Sequence, residues 1–205
     1  MENCVFCDRS QFEERLCGET KDFWIIATLG QISDGGYVLL VPKRHVECMG
    51  DMRQKEIELM GFSAVKIADA FCDEYGAVDG AIFEHGKIGQ SIKHAHWHLI
   101  PEACYFSEKI EKNFSDCKIT KLKSFRDLKK MYVAKKEPYI FWMDSDGQPL
   151  VCWNPPIEKV PPQYLRTVVA EALDRPERAN WHNMDPELDK KLWSETVRRL
   201  KTYKF

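Results

Sequence analysis

The chain has almost no net charge: thirty lysines and arginines stand against thirty-two acidic residues, a formal −2 at pH 7. Bulk electrostatics therefore draw it to neither nucleic acid nor an anionic membrane, and any affinity for anions has to be local. It has no apolar run near the roughly 20 residues that span a bilayer. Met1-Glu2-Asn3-Cys4 lacks the charged-then-apolar order of a secretory signal. The expectation is a cytoplasmic protein without a membrane segment. No internal repeat or low-complexity tract is visible, so repeat architectures are set aside. What is present is enough apolar material, 44% of 205 residues, to bury a full core. Eight cysteines in a reducing compartment read as ligands, buried apolar residues or free thiols rather than disulfides, and only Cys4 and Cys7 have informative spacing.

The pattern predicts an α+β fold. Residues 23–29 and 37–41 read as strands around a Ser-Asp-Gly-Gly turn at 33–36, a hairpin. Residues 51–75 carry Ile57, Met60, Val65, Ile67, Ala68 and Phe71 at mostly helical spacing. Residues 80–84 supply another strand, and a glycine-containing turn at 86–89 leads into a histidine-rich one. From about residue 102 the pattern loosens into a charged, irregular stretch. A soft boundary then divides a domain over 1–117 from a C-terminal extension over 118–205 packing on it. The extension is expected to hold a helix at 124–134, a hairpin of 139–143 and 150–153 turned by Ser145-Asp146-Gly147, and two more helices. Pro161 and Pro162 are placed in the first turn of one, and Asp185 caps the other. Residues 118–136 hold seven lysines and one arginine against a single acid, Asp127. Such a run is ordinarily a solvated face, the alternative being a guide for a polyphosphate or a nucleic-acid end.

Three of the six histidines fall at alternate positions in Ser91-Ile92-Lys93-His94-Ala95-His96-Trp97-His98-Leu99-Ile100-Pro101. Residues two apart diverge on a helix but share a face on a strand, and the β-branched and aromatic neighbours favour the strand. At about 3.3 Å per residue the outer pair lie about 13 Å apart, too far to share one ion easily, so the row serves more than one purpose. Cys4-Val5-Phe6-Cys7 is half of a tetrahedral zinc site, which His45 and His94 are candidates to complete. A thioredoxin-like redox pair is the alternative, but that motif follows a strand and opens a helix.

The run Gly89-Gln90-Ser91-x-x-His94-x-His96-x-His98-Leu99-Ile100, with Pro42-Lys43-Arg44-His45 and the N-terminal C-x-x-C, resembles the histidine-triad (HIT) nucleotide hydrolases and transferases. The zinc-containing prokaryotic members are the nearest in pattern, and the resemblance covers roughly residues 4–101. It implies an antiparallel sheet with a long helix, with the hairpin and helices after it as the extension. It also implies that His96 attacks a nucleotide α-phosphate and forms a nucleotidyl-histidine that water cleaves. His98 would then stabilise the phosphate charge, Ser91 and Gln90 would donate to phosphate or leaving-group oxygens, and His94 would go to a structural zinc with Cys4, Cys7 and His45. Phe83-Glu84-His85-Gly86 stands where many members have an asparagine near the phosphates, which makes Glu84 a substrate-binding candidate in its stead. Ala27-Thr28-Leu29-Gly30 lacks the acid or amide that often holds ribose.

The leading expectation is therefore an enzyme acting on a dinucleoside polyphosphate or a nucleoside phosphoramidate. One alternative is a non-catalytic nucleotide- or nucleic-acid-binding module, and another is a hydrolase with a catalytic zinc held by His96 and His98. The expected partner is a nucleotide or nucleotide-conjugate substrate. A homodimer is left open, nucleic acid is not favoured, and a membrane is excluded. In Gln163-Tyr164-Leu165-Arg166, which resembles the extension of some prokaryotic HIT-like proteins, Arg166 is either a phosphate ligand or half of a surface ion pair.

Overall fold

A computed structural model describes residues 4–205; Met1–Asn3, part of the stretch read for a signal pattern, lie outside the described residues. Three 3-10 turns over 5–15 lead into β1 (Leu16–Glu19), β2 (Phe23–Ala27) and β3 (Val38–Pro42). Then come α1 (Gln54–Tyr75), β4 (Ala81–Gly86), β5 (Trp97–Ile100), α2 (Ser107–Asn113) and β6 (Lys118–Lys121). The chain continues through α3 (Phe125–Lys135), β7 (Tyr139–Met143), β8 (Leu150–Trp153), α4 (Tyr164–Ala172) and α5 (Pro186–Leu200). The strands form one sheet in the order β1-β2-β3-β5-β4-β7-β8-β6. Every neighbouring pair is antiparallel. The fold is α+β, as the sequence pattern predicts.

Period-2 alternation sorts side chains between the two faces. Val38 and Leu40 of β3, Trp97 and Leu99 of β5, and Tyr139 and Phe141 of β7 enter one core, against α1, α3 and the end of α5. Leu39 and Val41, Ile100, and Ile140 and Trp142 enter the other, which α2 and α4 cover. On α1 the apolar stripe Ile57, Met60, Ala64, Ile67 and Phe71 is buried, at the 3-4 spacing of one helix face. The helix opens with Glu56 accepting from the Arg53 backbone N–H at 2.6 Å and stops at Gly76, whose φ of +64° is a conformation glycine adopts without steric cost. The second hairpin lies at the predicted residues and extends the same sheet, since β7 pairs with β4 from Ile82↔Met143 to Gly86↔Tyr139.

Four features depart from the sequence pattern, the first being helix α2 inside the stretch expected to be irregular. The histidine segment is a strand only from Trp97. Its last ladder partners are Leu40 on β3 and Phe83 on β4, while β4 pairs along its other edge with β7 as far as Gly86. Before that point the chain bends, with His94 N–H donating to the Ile92 carbonyl at 2.8 Å and Ala95 N–H to Val46 at 2.6 Å. Pro161 and Pro162 precede α4 rather than opening it, because Gln163 between them and the helix adopts φ of +66°. Two edge strands went unpredicted: β1, with a glycine and a glutamate among its four residues, and β6, Lys-Ile-Thr-Lys, inside the basic cluster. Lysines on an outer strand suit an edge that must not pair further. Among the described residues no helix is long and apolar enough to cross a membrane.

Candidate active site and metal centre

Cys4, Cys7, His45 and His94 converge from three separate segments, and their four ligand atoms lie within 4.8 Å of one another. Cys4 Sγ is 3.3 Å from His94 Nδ1, Cys7 Sγ is 3.3 Å from His45 Nδ1, and Cys7 Sγ is 3.6 Å from His94 Nδ1. Bond lengths near 2.3 Å to sulfur and 2.0 Å to nitrogen place neighbouring tetrahedral donors roughly 3.3–3.8 Å apart, so the donor set fits one such ion. The tautomer fits as well: His94 Nε2–H donates to the Pro42 carbonyl at 2.8 Å, which leaves Nδ1 unprotonated toward the sulfurs. Burial, and then the adjacent Cys4, push the Cys7 thiol up, a tension that a divalent cation between the sulfurs relieves.

The backbone of His94 has a second duty. Its carbonyl accepts from His96 Nδ1–H at 2.6 Å, which puts the Nε2 lone pair of the half-buried His96 toward a cavity of about 500 Å³. His98, one strand step on, is buried, its ring centroid 4.9 Å from that of His96 and stacked at 4.3 Å on Phe83. Its Nδ1 lies 2.5 Å from the Tyr37 hydroxyl. Burial first, then His96 and Arg166, hold the His98 imidazole well below the usual histidine range. Burial likewise lowers His96, against the opposing pull of the His94 carbonyl. Both shifts favour the neutral ring, and the two rings offer different atoms: a lone pair from His96, a polar edge from His98.

Ser91 and Gln90 sit at the cavity wall beside Gly89. Ser91 is exposed, while Gln90 Nε2 already donates to the Glu47 carbonyl at 2.7 Å. Glu84 does not reach the cavity. On β4 it alternates with Phe83 and His85, and Phe83 is the register partner of His98, so Glu84 points through the opposite face. There its oxygens accept from Met49 N–H at 2.6 Å and Tyr139 O–H at 2.8 Å. The cavity is reached instead by His85, whose Nε2 accepts from Leu165 N–H at the first turn of α4.

Arg166 corrects the surface ion-pair alternative, because it is only 4% exposed and none of its partners is a carboxylate. Its Nε donates to the Ala179 carbonyl at 3.3 Å, one terminal nitrogen to Gly30 O at 2.8 Å and the other to Tyr37 Oη at 3.1 Å. A guanidinium has five N–H groups, so one on each terminal nitrogen remains beside the cavity it lines. The 175–189 segment is fastened over this region. Arg175 pairs with Glu102 at 2.7 Å and Asp34 at 2.8 Å, Arg178 pairs with Asp34 at 2.7 Å, and Asp189 accepts from the backbone of Gly30 and Gln31. Gly30 is obligatory there: its φ is +68°, and a Cβ would lie 2.3 Å from the Trp181 Cβ. Arg15, Tyr37, Gln163 and Trp181 were not singled out in the sequence as site residues. Arg15, Gln163 and Trp181 line the cavity, whose described lining includes no aspartate or glutamate.

The HIT domain family matches residues 9–104. Protein hit of Bacillus subtilis (strain 168) is 33% identical over 105 residues, covering 49% of this chain and 71% of the Bacillus protein. The chain belongs to the HIT family. Among solved structures, a HIT family protein from Bacillus anthracis str. 'Ames Ancestor' is similar at 24% identity over 56% of this chain and 92% of its own, with a TM-score of 0.46. A HIT family member from Bacillus subtilis is similar at 20% identity over 65% of this chain and 97% of its own, also with a TM-score of 0.46. The HIT match ends at residue 104, ahead of Gln163, Arg166 and Trp181 on the cavity wall.

Proposed function

We propose that this HIT protein hydrolyses or transfers a nucleoside monophosphoryl group, with His96 as the nucleophile. The observation that carries the reading is the 2.6 Å hydrogen bond from His96 Nδ1 to the His94 carbonyl, which aims the other nitrogen's lone pair into the cavity. In the first step a bond forms between His96 Nε2 and the α-phosphorus while the bond to the leaving group breaks. The leaving group keeps the electron pair, an amine leaving group also taking up a proton from solvent, and the positive charge on the ring is held by the His94 carbonyl. Water then attacks phosphorus, giving up a proton to solvent, and the P–N bond returns its electrons to Nε2. His98, Ser91 and the two remaining N–H groups of Arg166 supply hydrogen bonds to the phosphoryl and leaving-group oxygens, the electrostatic part of the transfer. Gln90 contributes after exchanging its bond to Glu47. Among the described residues the cavity lining has no carboxylate, which suits an anionic ligand, and a dinucleoside polyphosphate or nucleoside phosphoramidate has the required α-phosphate.

Zinc is the metal that a two-cysteine, two-histidine donor set best fits. Held by Cys4, Cys7, His45 and His94, it would supply a structural cross-link and leave the phosphoryl chemistry to the imidazoles. Through the His94 backbone, that cross-link would also steady the acceptor of His96 Nδ1–H.

The test is a product assay on a panel of dinucleoside polyphosphates and phosphoramidates, with quenched reactions examined for phosphoryl label on the protein. Turnover with label on the wild type, and neither on His96→Ala, supports the reading. Wild-type turnover persisting in His96→Ala would sink it, and binding without turnover would leave a nucleotide-binding module.

A further inference from the structure

We propose that Tyr37, itself held by Arg166, is a positioning residue that fixes His98 as the Nε2–H tautomer, so that His98 donates a hydrogen bond to the oxygen departing from the phosphorus. The inference rests on the nucleotidyl-transfer reading above and adds a role for two residues in it, one of them beyond the HIT match.

The argument is a count of protons in a buried chain of hydrogen bonds. Arg166 has only donors, so at 3.1 Å from the Tyr37 oxygen it must donate. The Tyr37 hydroxyl is fully buried and is left with one hydrogen to place. His98 Nδ1, at 2.5 Å, is its remaining described partner, and a buried hydroxyl hydrogen left unpaired costs more than a made bond gains. Tyr37 therefore donates and His98 Nδ1 accepts. A neutral imidazole whose Nδ1 accepts has its hydrogen on Nε2.

His96 is fixed the opposite way, because a backbone carbonyl can only accept and its Nδ1 must be the protonated nitrogen. Adjacent rings 4.9 Å apart thus show the cavity a lone pair and an N–H. That is the division of labour an in-line displacement needs: one ring forms the bond to phosphorus, and the other steadies the oxygen that takes the electron pair. No proton changes hands at His98, since the leaving oxygen departs as an anion held by the N–H. The ring plane is fixed by Phe83, parallel to within 9°. Arg166 is fixed in turn by the Gly30 and Ala179 carbonyls, so residues 163–181 set the state of a histidine in the HIT segment.

The experiment uses zinc-loaded full-length protein and two aryl esters of AMP, one with 4-nitrophenol and one with the more basic 4-methoxyphenol as leaving group. Nitrogen-15 NMR of the wild type, with the His98 signals assigned by their loss in His98→Asn, should show an unprotonated Nδ1 and a protonated Nε2. In Tyr37→Phe, which keeps the ring and its packing, kcat/KM should fall on the order of 10²-fold for the 4-methoxyphenyl ester. For the 4-nitrophenyl ester, whose leaving oxygen needs little help, the fall should stay within about threefold. An Nδ1–H tautomer in the wild type overturns the proposal whatever the variant does. Equal losses on both esters overturn it too, since they indicate general damage. If the wild type cleaves neither ester and takes up no label from either, the nucleotidyl-transfer reading falls and this proposal with it. Label uptake with the wrong tautomer leaves that reading standing alone.

Discussion

Glu84 and His85 are neighbours in β4, both buried and both ionisable, on opposite faces of one sheet. On the first face the carboxyl is enclosed by the Met49 N–H and Tyr139 O–H, and burial pushes it up to about 7. On the second, burial and then His96 and Arg166 push His85 down to about 3, and around it lie a cavity, two further imidazoles and a guanidinium. The first face is a filled core in which the Glu84 carboxyl is satisfied from within. The second is left incomplete, with an arginine and three histidines beside a cavity open to a ligand. Burial alone therefore does not mark a functional group; burial beside empty space with donors to spare does.

If that contrast is right, the largest kinetic effect comes from the open face. His96→Ala is expected to lower turnover by at least about 10³-fold while nucleotide affinity, measured by calorimetry, changes only a few-fold. A near-wild-type rate would erase the distinction between the faces. Arg166→Lys keeps the charge and loses the planar fork, so we expect kcat/KM to fall about 10- to 100-fold. Thermal unfolding should show a smaller loss, from the Gly30 and Ala179 carbonyls left short of a donor. Cys4→Ser at the rim should abolish stoichiometric zinc in elemental analysis and lower the melting temperature more than it lowers the rate of a saturated enzyme. Full zinc retention would remove Cys4 from the ligand set.

The filled face should answer only in stability. Between the ordinary carboxylate value near 4.5 and about 7, the folded chain keeps a proton on Glu84 that the unfolded chain has released. Its contribution is therefore fully present below about 4.5 and is lost as pH rises through about 7, by up to about 3 kcal/mol. Urea unfolding of Glu84→Gln against wild type at pH 4 and pH 8 should show the variant gaining relative stability at the higher pH. Parallel pH curves would show that Glu84 titrates normally, and a large loss of kcat in this variant would place it functionally on the other face.

The sequence made some of this plain and hid the rest for physical reasons. Both hairpins, the long helix, the Asp185 cap and the four converging metal-ligand candidates are written in local patterns: alternation, turn chemistry, a side-chain acceptor and a C-x-x-C. The start of β5 is not local, because it depends on where β3 and β4 stop offering partners. The direction of Glu84 needs the register between β4 and β5, since a shift of one residue would have turned it into the cavity. Arg166 reads equally as a phosphate ligand or a surface ion pair until the Gly30 and Ala179 carbonyls are known to enclose it. Tyr37 gave no signal beyond opening a strand, and its meaning lies in what stands 2.5 Å away, sixty-one positions along the chain. The edge strands β1 and β6 are too short and too polar for periodicity to find.

The pairing of β7 along β4 has one more consequence, for how the chain can be handled. A fragment ending near Cys117 would carry every histidine of the triad and all four metal-ligand candidates. It would also present the backbone of Ile82–Gly86, which now meets Tyr139–Met143, as a bare edge with apolar neighbours on both sides. Such an edge takes up whatever strand it meets, and at working concentrations that is another copy of itself. The second half of the chain thus acts as a built-in guard against aggregation, and trimming the protein to its recognisable segment would produce an insoluble fragment rather than a minimal enzyme.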